Sequence, residues 1–123
     1  MDITTGHIYN DILELSDLGL QRKLWLNENN DTGLISSYVE VMCRLFDDNR
    51  FDDFIDNRAS TLGLSNSTIF ELNKLRESLN NYHEKETDEE IIGDSKWAEV
   101  VEQAKKVIHE WNRVSPATGK GID

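Results

Sequence analysis

The stretch from Leu34 to Ile55 constrains the fold more than any other part of the sequence, because an apolar helical pattern there runs into a cluster of aspartates. Its apolar residues recur at three- and four-residue steps, which place side chains on one face of a helix. These residues are Ile35, Tyr38, Val39, Met42, Leu45 and Phe46. Val41 and Cys43 widen that face, and a helix that is apolar around more than half of its circumference is usually surrounded by other helices. The pattern therefore predicts the central helix of a small bundle.

Two further helices are predicted before this stretch. Their apolar stripes at helical spacing are Ile8, Ile12 and Leu15, then Leu20, Leu24 and Trp25. We expect Thr4 or Thr5 to begin the first helix, because their hydroxyls can accept from free backbone amides there. Asp17 can cap the second helix in the same way, and Asp31 or Thr32 is expected to begin the central helix.

Helices are also predicted along the rest of the chain. A short one covers about residues 50–57, and Gly63 can take the left-handed conformation of a turn. Residues 68–71 fit the capping-box pattern of a helix start, Thr87 can begin a short turn, and Asp94 can cap the last helix. The last helix has the most regular apolar stripe: Trp97, Val100, Val101, Ala104, Val107, Ile108 and Trp111. The sequence predicts an all-α bundle of about five to seven helices, with one domain over residues 1–114 and a disordered tail over residues 115–123.

Charge and composition restrict the class of partner. Twenty-four acidic residues against thirteen basic ones give a net charge of -11 and a pI near 4.6, which argues against nucleic acid or an anionic membrane as a partner. No apolar run approaches the roughly 20 residues that span a bilayer, and the first residues lack the pattern of a secretory signal. We therefore expect a cytoplasmic protein. Cys43 is the only cysteine, so an intramolecular disulfide and a cysteine-based zinc cluster are excluded.

The aspartate cluster is the strongest candidate for a binding surface. It comprises Asp47, Asp48, Asp52, Asp53 and Asp56. The spacing does not fit a calcium-binding EF-hand, which needs a third oxygen ligand and a glycine at the sixth position. Phe51 and Phe54 are interleaved with the aspartates, and aromatic anchors beside charges are typical of tight protein interfaces. Alternatively, both rings face the core. We predict that the five aspartates and Phe51 contact a protein partner.

Two other functions stay open at this point. Small all-α nucleotide pyrophosphohydrolases place ExxE and ExxD pairs around magnesium, and the chain offers Glu86-x-x-Glu89, Glu99-x-x-Glu102 and Asp53-x-x-Asp56. An adaptor or oligomeric scaffold is the second alternative. None of the three histidines has a second ligand or a nucleophile at helical spacing, and no catalytic motif is present in the sequence. The preferred hypothesis is a binding protein without a catalytic residue, metal or cofactor.

Several segments of the chain resemble a known class of protein. They are SDLxLQxxLWL over residues 16–26, GLISSY over residues 33–38, LFDD over residues 45–48 and GDSKWxEVVxxAKK over residues 93–106. These segments are similar to small bacterial immunity proteins of contact-dependent growth inhibition and polymorphic toxin systems. From the acidic charge we expect a basic partner, such as a nuclease domain. The resemblance implies a cytoplasmic antitoxin that binds the C-terminal toxin domain of a sister cell and masks its active site or an essential surface. It transfers no functional residue.

Overall fold

The computed structural model describes residues 2–114, with side chains as far as residue 113. In this part of the chain all regular structure is helical. The seven helices are α1 Ile3–Leu15, α2 Leu18–Trp25, α3 Tyr38–Met42, α4 Phe51–Asp53, α5 Asn66–Asn81, α6 Asp88–Ile92 and α7 Ser95–Val114. Two of them continue as π-helical turns, α3 over Cys43–Asp48 and α4 over Phe54–Arg58. The predicted all-α fold is confirmed, whereas the predicted tail over residues 115–123 lies outside the described residues.

Side-chain caps define where most of the helices begin. The Asp17 carboxylate accepts a hydrogen bond from the Leu20 backbone N–H at 3.0 Å, and Thr87 Oγ1 accepts one from the Glu90 N–H at 3.1 Å. Asp94 Oδ1 accepts one from the Lys96 N–H at 3.1 Å at the start of α7. These three predicted helix starts are confirmed. Gly63 has a φ of 89°, which also confirms the left-handed turn expected there.

Three other predicted helix starts are wrong. Asp2, rather than Thr4 or Thr5, caps α1 by accepting from the Thr5 N–H at 2.7 Å. Ser65 caps α5 and accepts from the Thr68 N–H at 3.1 Å, so Thr68 lies inside that helix. In both cases an acceptor side chain lies two or three residues earlier, and the helix begins there because that side chain satisfies one of the free amides of the first turn.

The third error changes the predicted central helix. Ser37 caps α3 by accepting from the Glu40 N–H at 3.0 Å, so the helix begins at Tyr38 instead of near Asp31 or Thr32. Residues 34–37 precede the helix, and Ile35 therefore does not share a helical face with Tyr38. Tyr38, Val41 and Leu45 are buried, whereas Leu34, Ile35, Val39 and Cys43 are exposed.

The last helix packs most extensively against the rest of the domain. α7 packs along α5 and α1 and also contacts α6. Its predicted apolar stripe is confirmed, because all of its members are buried except the half-buried Ile108. The Trp97 ring lies at the centre of an aromatic cluster, with centroids 5.9 Å from Trp25, 5.5 Å from Tyr38 and 5.1 Å from Tyr82. These contacts join α2, α3 and the end of α5 to α7.

No helix within residues 2–114 is both long enough and apolar enough to pass through a bilayer.

Candidate protein interface

The five aspartates of the predicted site differ in whether their carboxylates are bonded within the chain. Asp47 and Asp48 end the π-helical turn that follows α3, and both are exposed. Among residues 2–114 neither forms an ion pair with a lysine, arginine or histidine. The helical backbone conformation is interrupted after Asn49, because Arg50 lies in the left-handed region with a φ of 52°. The helical segment that begins with α3 therefore ends at Asp48.

Asp52 and Asp56 face a different element. Arg76 of α5 donates to Asp52 Oδ1 at 3.2 Å and to Asp56 Oδ1 at 3.0 Å. The hydrogen bond from Arg76 is the main reason why the pKa of Asp56 lies below its usual value. Asp53 is half-buried and accepts from Asn57 Nδ2 at 2.8 Å. Asp52 and Asp56 therefore join the α4 segment to α5, while Asp53 bonds within its own segment. Of the five aspartates, Asp47 and Asp48 are the two without such a partner among the described residues.

Phe51 does not reach the surface. The side chains of Phe51 and Phe54 are both fully buried. Phe51 meets Phe46 edge to face at a centroid distance of 5.4 Å, and Phe54 stacks on Trp111 at 6.4 Å. The alternative in which both rings face the core is the one that the structure shows, so Phe51 is not an exposed anchor for a partner. The two rings instead hold the acidic segment against the bundle.

Arg44 is the centre of a polar network that the sequence did not reveal. Its guanidinium donates to Asp11 Oδ1 at 3.0 Å and to Glu14 Oε1 at 2.9 Å, both on α1. Glu14 Oε2 also accepts from Trp25 Nε1 at 2.8 Å, and Asp11 Oδ2 accepts from Asn49 Nδ2 at 3.1 Å. Burial raises the pKa of the Asp11 carboxyl, against the opposing effect of Arg44. The network therefore fixes the end of α3 to α1 and turns the Arg44 charge inward.

An open cavity of about 550 Å³ adjoins this network. Its lining includes His7, Asn10, Asp11, Arg44 and Asp48. Both oxygens of Asp11 are already occupied by Arg44 and Asn49, as described above. Asp48 thus borders a groove in which Asp11 and Arg44 already bond within the chain.

The glutamate pairs considered for magnesium lie on exposed surfaces. Glu99 is 3.8 Å from Lys96 Nζ and Glu102 is 2.9 Å from Lys105 Nζ, both pairs along α7. Glu86 and Glu89 are exposed near the start of α6. In the described part of the chain, no three His, Cys, Asp or Glu side chains come together in an arrangement that could hold a metal ion.

An exposed apolar surface was also missed by the sequence analysis. Leu34, Ile35 and Val39 have 64%, 73% and 57% of their surface exposed, although the helical pattern predicted that Ile35 and Val39 are buried. The motif Ser37-x-x-Glu40 is a helix-start signal that could have indicated this, because it places Leu34 and Ile35 outside the helix.

Comparison with known proteins identifies no relative: no family model, no curated protein and no solved structure matches the chain. The fold and the surface define an acidic all-α domain with exposed carboxylates at the end of α3.

Proposed function

We propose that this protein is an immunity protein that binds a cognate bacterial toxin domain and masks it. The observation that carries the proposal is the exposure of Asp47 and Asp48, which have no cationic partner in the described chain, on a protein with a net charge of -11. The proposed partner is a basic protein domain, such as a nuclease, and the proposed place of action is the cytoplasm of a cell that takes part in contact-dependent growth inhibition.

The physical basis is electrostatic complementarity. Carboxylates pair with lysine and arginine through charge-assisted hydrogen bonds, and on a nuclease they can take the positions that phosphates occupy. Long-range attraction also raises the association rate of oppositely charged proteins, from about 10⁵–10⁶ to as much as 10⁸–10⁹ M⁻¹s⁻¹ at low salt. Fast binding suits an inhibitor that must capture a toxin before it acts.

The resemblance of residues 16–26, 33–38, 45–48 and 93–106 to immunity proteins supports the same proposal. The structure adds that Leu24, Trp25, Tyr38 and Trp97 of these segments are core residues. The likeness transfers no contact residue, and the interface is inferred from exposure and charge.

The proposal is tested by expressing the C-terminal domain of the protein encoded immediately upstream of this chain's gene, as the candidate toxin domain, with and without the chain in the same host. We expect growth arrest by the toxin domain alone, restored growth when the chain is present, and a stable one-to-one complex of the two purified proteins. Restored growth without a complex would contradict masking by direct binding.

Two assays on the same purified protein test the alternative functions, an enzyme and a scaffold. Magnesium-dependent cleavage of nucleoside triphosphates that is lost in Glu99→Gln and Glu102→Gln would replace the proposal with an enzyme. A mass that rises with protein concentration in the absence of any partner would favour a scaffold.

A further inference from the structure

Leu34, Ile35 and Val39 form the densest group of exposed large apolar side chains in the described chain. Six such side chains are exposed, and these three fall within six consecutive positions, while Ile3, Leu62 and Phe70 lie singly on other elements. Isolated exposed apolar residues are normal on protein surfaces. Contiguous groups of exposed apolar residues, in contrast, mark sites of interaction.

The backbone presents this group in a fixed arrangement. The Ser36 N–H donates to the Leu24 carbonyl of α2 at 3.0 Å, and Asn30 Nδ2 donates to the Leu34 carbonyl at 2.6 Å. The Leu34 N–H donates to Thr32 Oγ1 at 3.0 Å. Because the segment is already held by these bonds, binding through it requires little additional ordering.

The apolar group continues into the acidic end of α3. Val39, Cys43 and Asp47 are all exposed and follow one another at four-residue spacing on the outer face of the helix, with Glu40 beside them. We call the exposed residues Leu34, Ile35, Val39, Glu40, Cys43, Asp47 and Asp48 the 34–48 ridge. Its apolar residues lie toward one end and its two aspartates at the other, with Glu40 between them, so an apolar contact area adjoins a charged one.

The charge around the ridge indicates which kind of partner it fits. Residues 27–49 contain five acidic residues, Glu28, Asp31, Glu40, Asp47 and Asp48. Arg44 is the only basic residue of that range, and its guanidinium is turned toward Asp11 and Glu14, while the exposed Arg50 follows two residues after Asp48. The ridge is therefore complementary to a basic surface with an apolar pocket. A second copy of this chain would bring these acidic residues against one another.

We propose that the 34–48 ridge is the surface through which the chain binds its toxin domain, with Leu34, Ile35 and Val39 in an apolar pocket that is ringed by lysine and arginine side chains. This inference rests on the proposed immunity function. It moves the interface away from Asp52 and Asp56, which Arg76 engages, and toward the residues before α3.

The test compares Ile35→Ser/Val39→Ser with a matched control, Leu62→Ser/Phe70→Ser, which changes two exposed apolar residues outside the ridge. Binding of each purified variant to the toxin domain is followed by surface plasmon resonance, after circular dichroism has established unchanged helicity. We expect the ridge variant to dissociate at least about tenfold faster at a similar association rate, since apolar contacts act mainly on dissociation. The control should bind as the unmodified chain does.

The possible outcomes distinguish a failure of the ridge proposal from a failure of the proposed immunity function. A chain that protects cells and binds the toxin, but whose ridge variant binds equally well, would overturn the ridge and leave the function standing. A chain that neither protects nor binds would overturn both. A chain that dimerises alone, with the dimer lost in the ridge variant, would overturn the toxin as occupant in favour of a second copy.

Discussion

Trp97 Nε1 of α7 donates a hydrogen bond of 2.8 Å to Gln21 Oε1 of α2, and both side chains are fully buried. The amide of Gln21 donates in turn to the carbonyls of Glu14 and Leu15, each at 3.0 Å, at the end of α1. One side chain of α2 thus satisfies polar groups on two other helices, α1 and α7. A buried polar group that loses its partner costs about 1–3 kcal/mol, so this residue has a large share in holding the helices together.

Gln21→Met tests this role, because methionine has a similar volume but cannot replace the three hydrogen bonds. We expect the free energy of unfolding to fall by about 2–4 kcal/mol, because the Trp97 indole N–H and the Leu15 carbonyl lose this partner and the Glu14 carbonyl keeps only the Asp17 N–H. Urea denaturation followed by tryptophan fluorescence measures this change. Asn80→Met, at an exposed position of α5, is the control and should change the free energy by no more than about 0.5 kcal/mol. Equal effects of the two changes would contradict the proposed role.

Arg44→Met is predicted to destabilise the protein by leaving Asp11 and Glu14 without their cation. Removing one partner of a fully buried pair costs about 3–5 kcal/mol, and we expect about 2–3 kcal/mol because 36% of the Arg44 side chain is exposed. Arg58→Met is the control, since its pair with Asp2 is exposed on both sides. A loss no greater than that of the control would contradict the account of the network.

The same variant has a predicted pH dependence. Burial already raises the pKa of Asp11 above its ordinary value of 3.8, and loss of the Arg44 charge raises this pKa further. Because the folded chain then binds the Asp11 proton more tightly than the unfolded chain, lowering the pH favours folding through this group. The stability difference between Arg44→Met and the unmodified chain should therefore shrink as the pH is lowered from 7 toward 4, measured by denaturation at each pH. A constant difference would contradict the assignment to Asp11.

Tyr82 is predicted to make the protein sensitive to alkali. Burial, together with a hydrogen bond of 2.8 Å from its hydroxyl to Asp94 Oδ2, raises the pKa of Tyr82 well above its ordinary value of 10.0. The folded chain keeps this proton at pH values where the unfolded chain has released it. The stabilisation is therefore complete below about pH 10 and falls above it, by about 1.4 kcal/mol per pH unit for one proton.

Tyr82→Phe removes this contribution and should give a flatter decline of unfolding free energy between about pH 10 and 12. Tyr9→Phe is the matched control, because the Tyr9 hydroxyl donates to the Asn112 amide oxygen instead of a carboxylate. Denaturation at several alkaline pH values distinguishes the variants. An unchanged slope in Tyr82→Phe would show that other groups control alkaline unfolding.

Local patterns were sufficient to predict much of the fold. The stripe from Trp97 to Trp111 and the caps at Asp17, Thr87 and Asp94 are each set within a few residues, and the structure has them as predicted. The start of α3 was missed because two local signals compete there. The helical spacing of Ile35 and Val39 favours an earlier start, while Ser37 offers the first amides a hydrogen bond that an earlier start would not provide.

The candidate site was less predictable because it depends on pairs far apart in the chain. Nothing near Asp52 and Asp56 indicates that Arg76 will engage both, and nothing near Arg44 indicates that it will turn toward α1. Which acidic residues remain free is decided by these distant partners. The exposure of Val39 follows in the same way from the position of α3 in the bundle, since Tyr38, Val41 and Leu45 are buried there and Met42 and Phe46 pack against the core.

The proposed function requires that Asp47 and Asp48, which are unpaired within residues 2–114, steer a basic toxin domain to this protein. The most direct measurement is the association rate with that domain at ionic strengths from about 0.03 to 0.5 M, over which screening increases strongly. It is made for the unmodified chain, for Asp47→Asn/Asp48→Asn, and for a control with the same charge change, Glu86→Gln/Glu89→Gln. We predict that the aspartate variant associates more slowly at low salt and with a flatter salt dependence, while the control stays close to the unmodified chain. An association rate and salt dependence that are the same in all three proteins would contradict the claim.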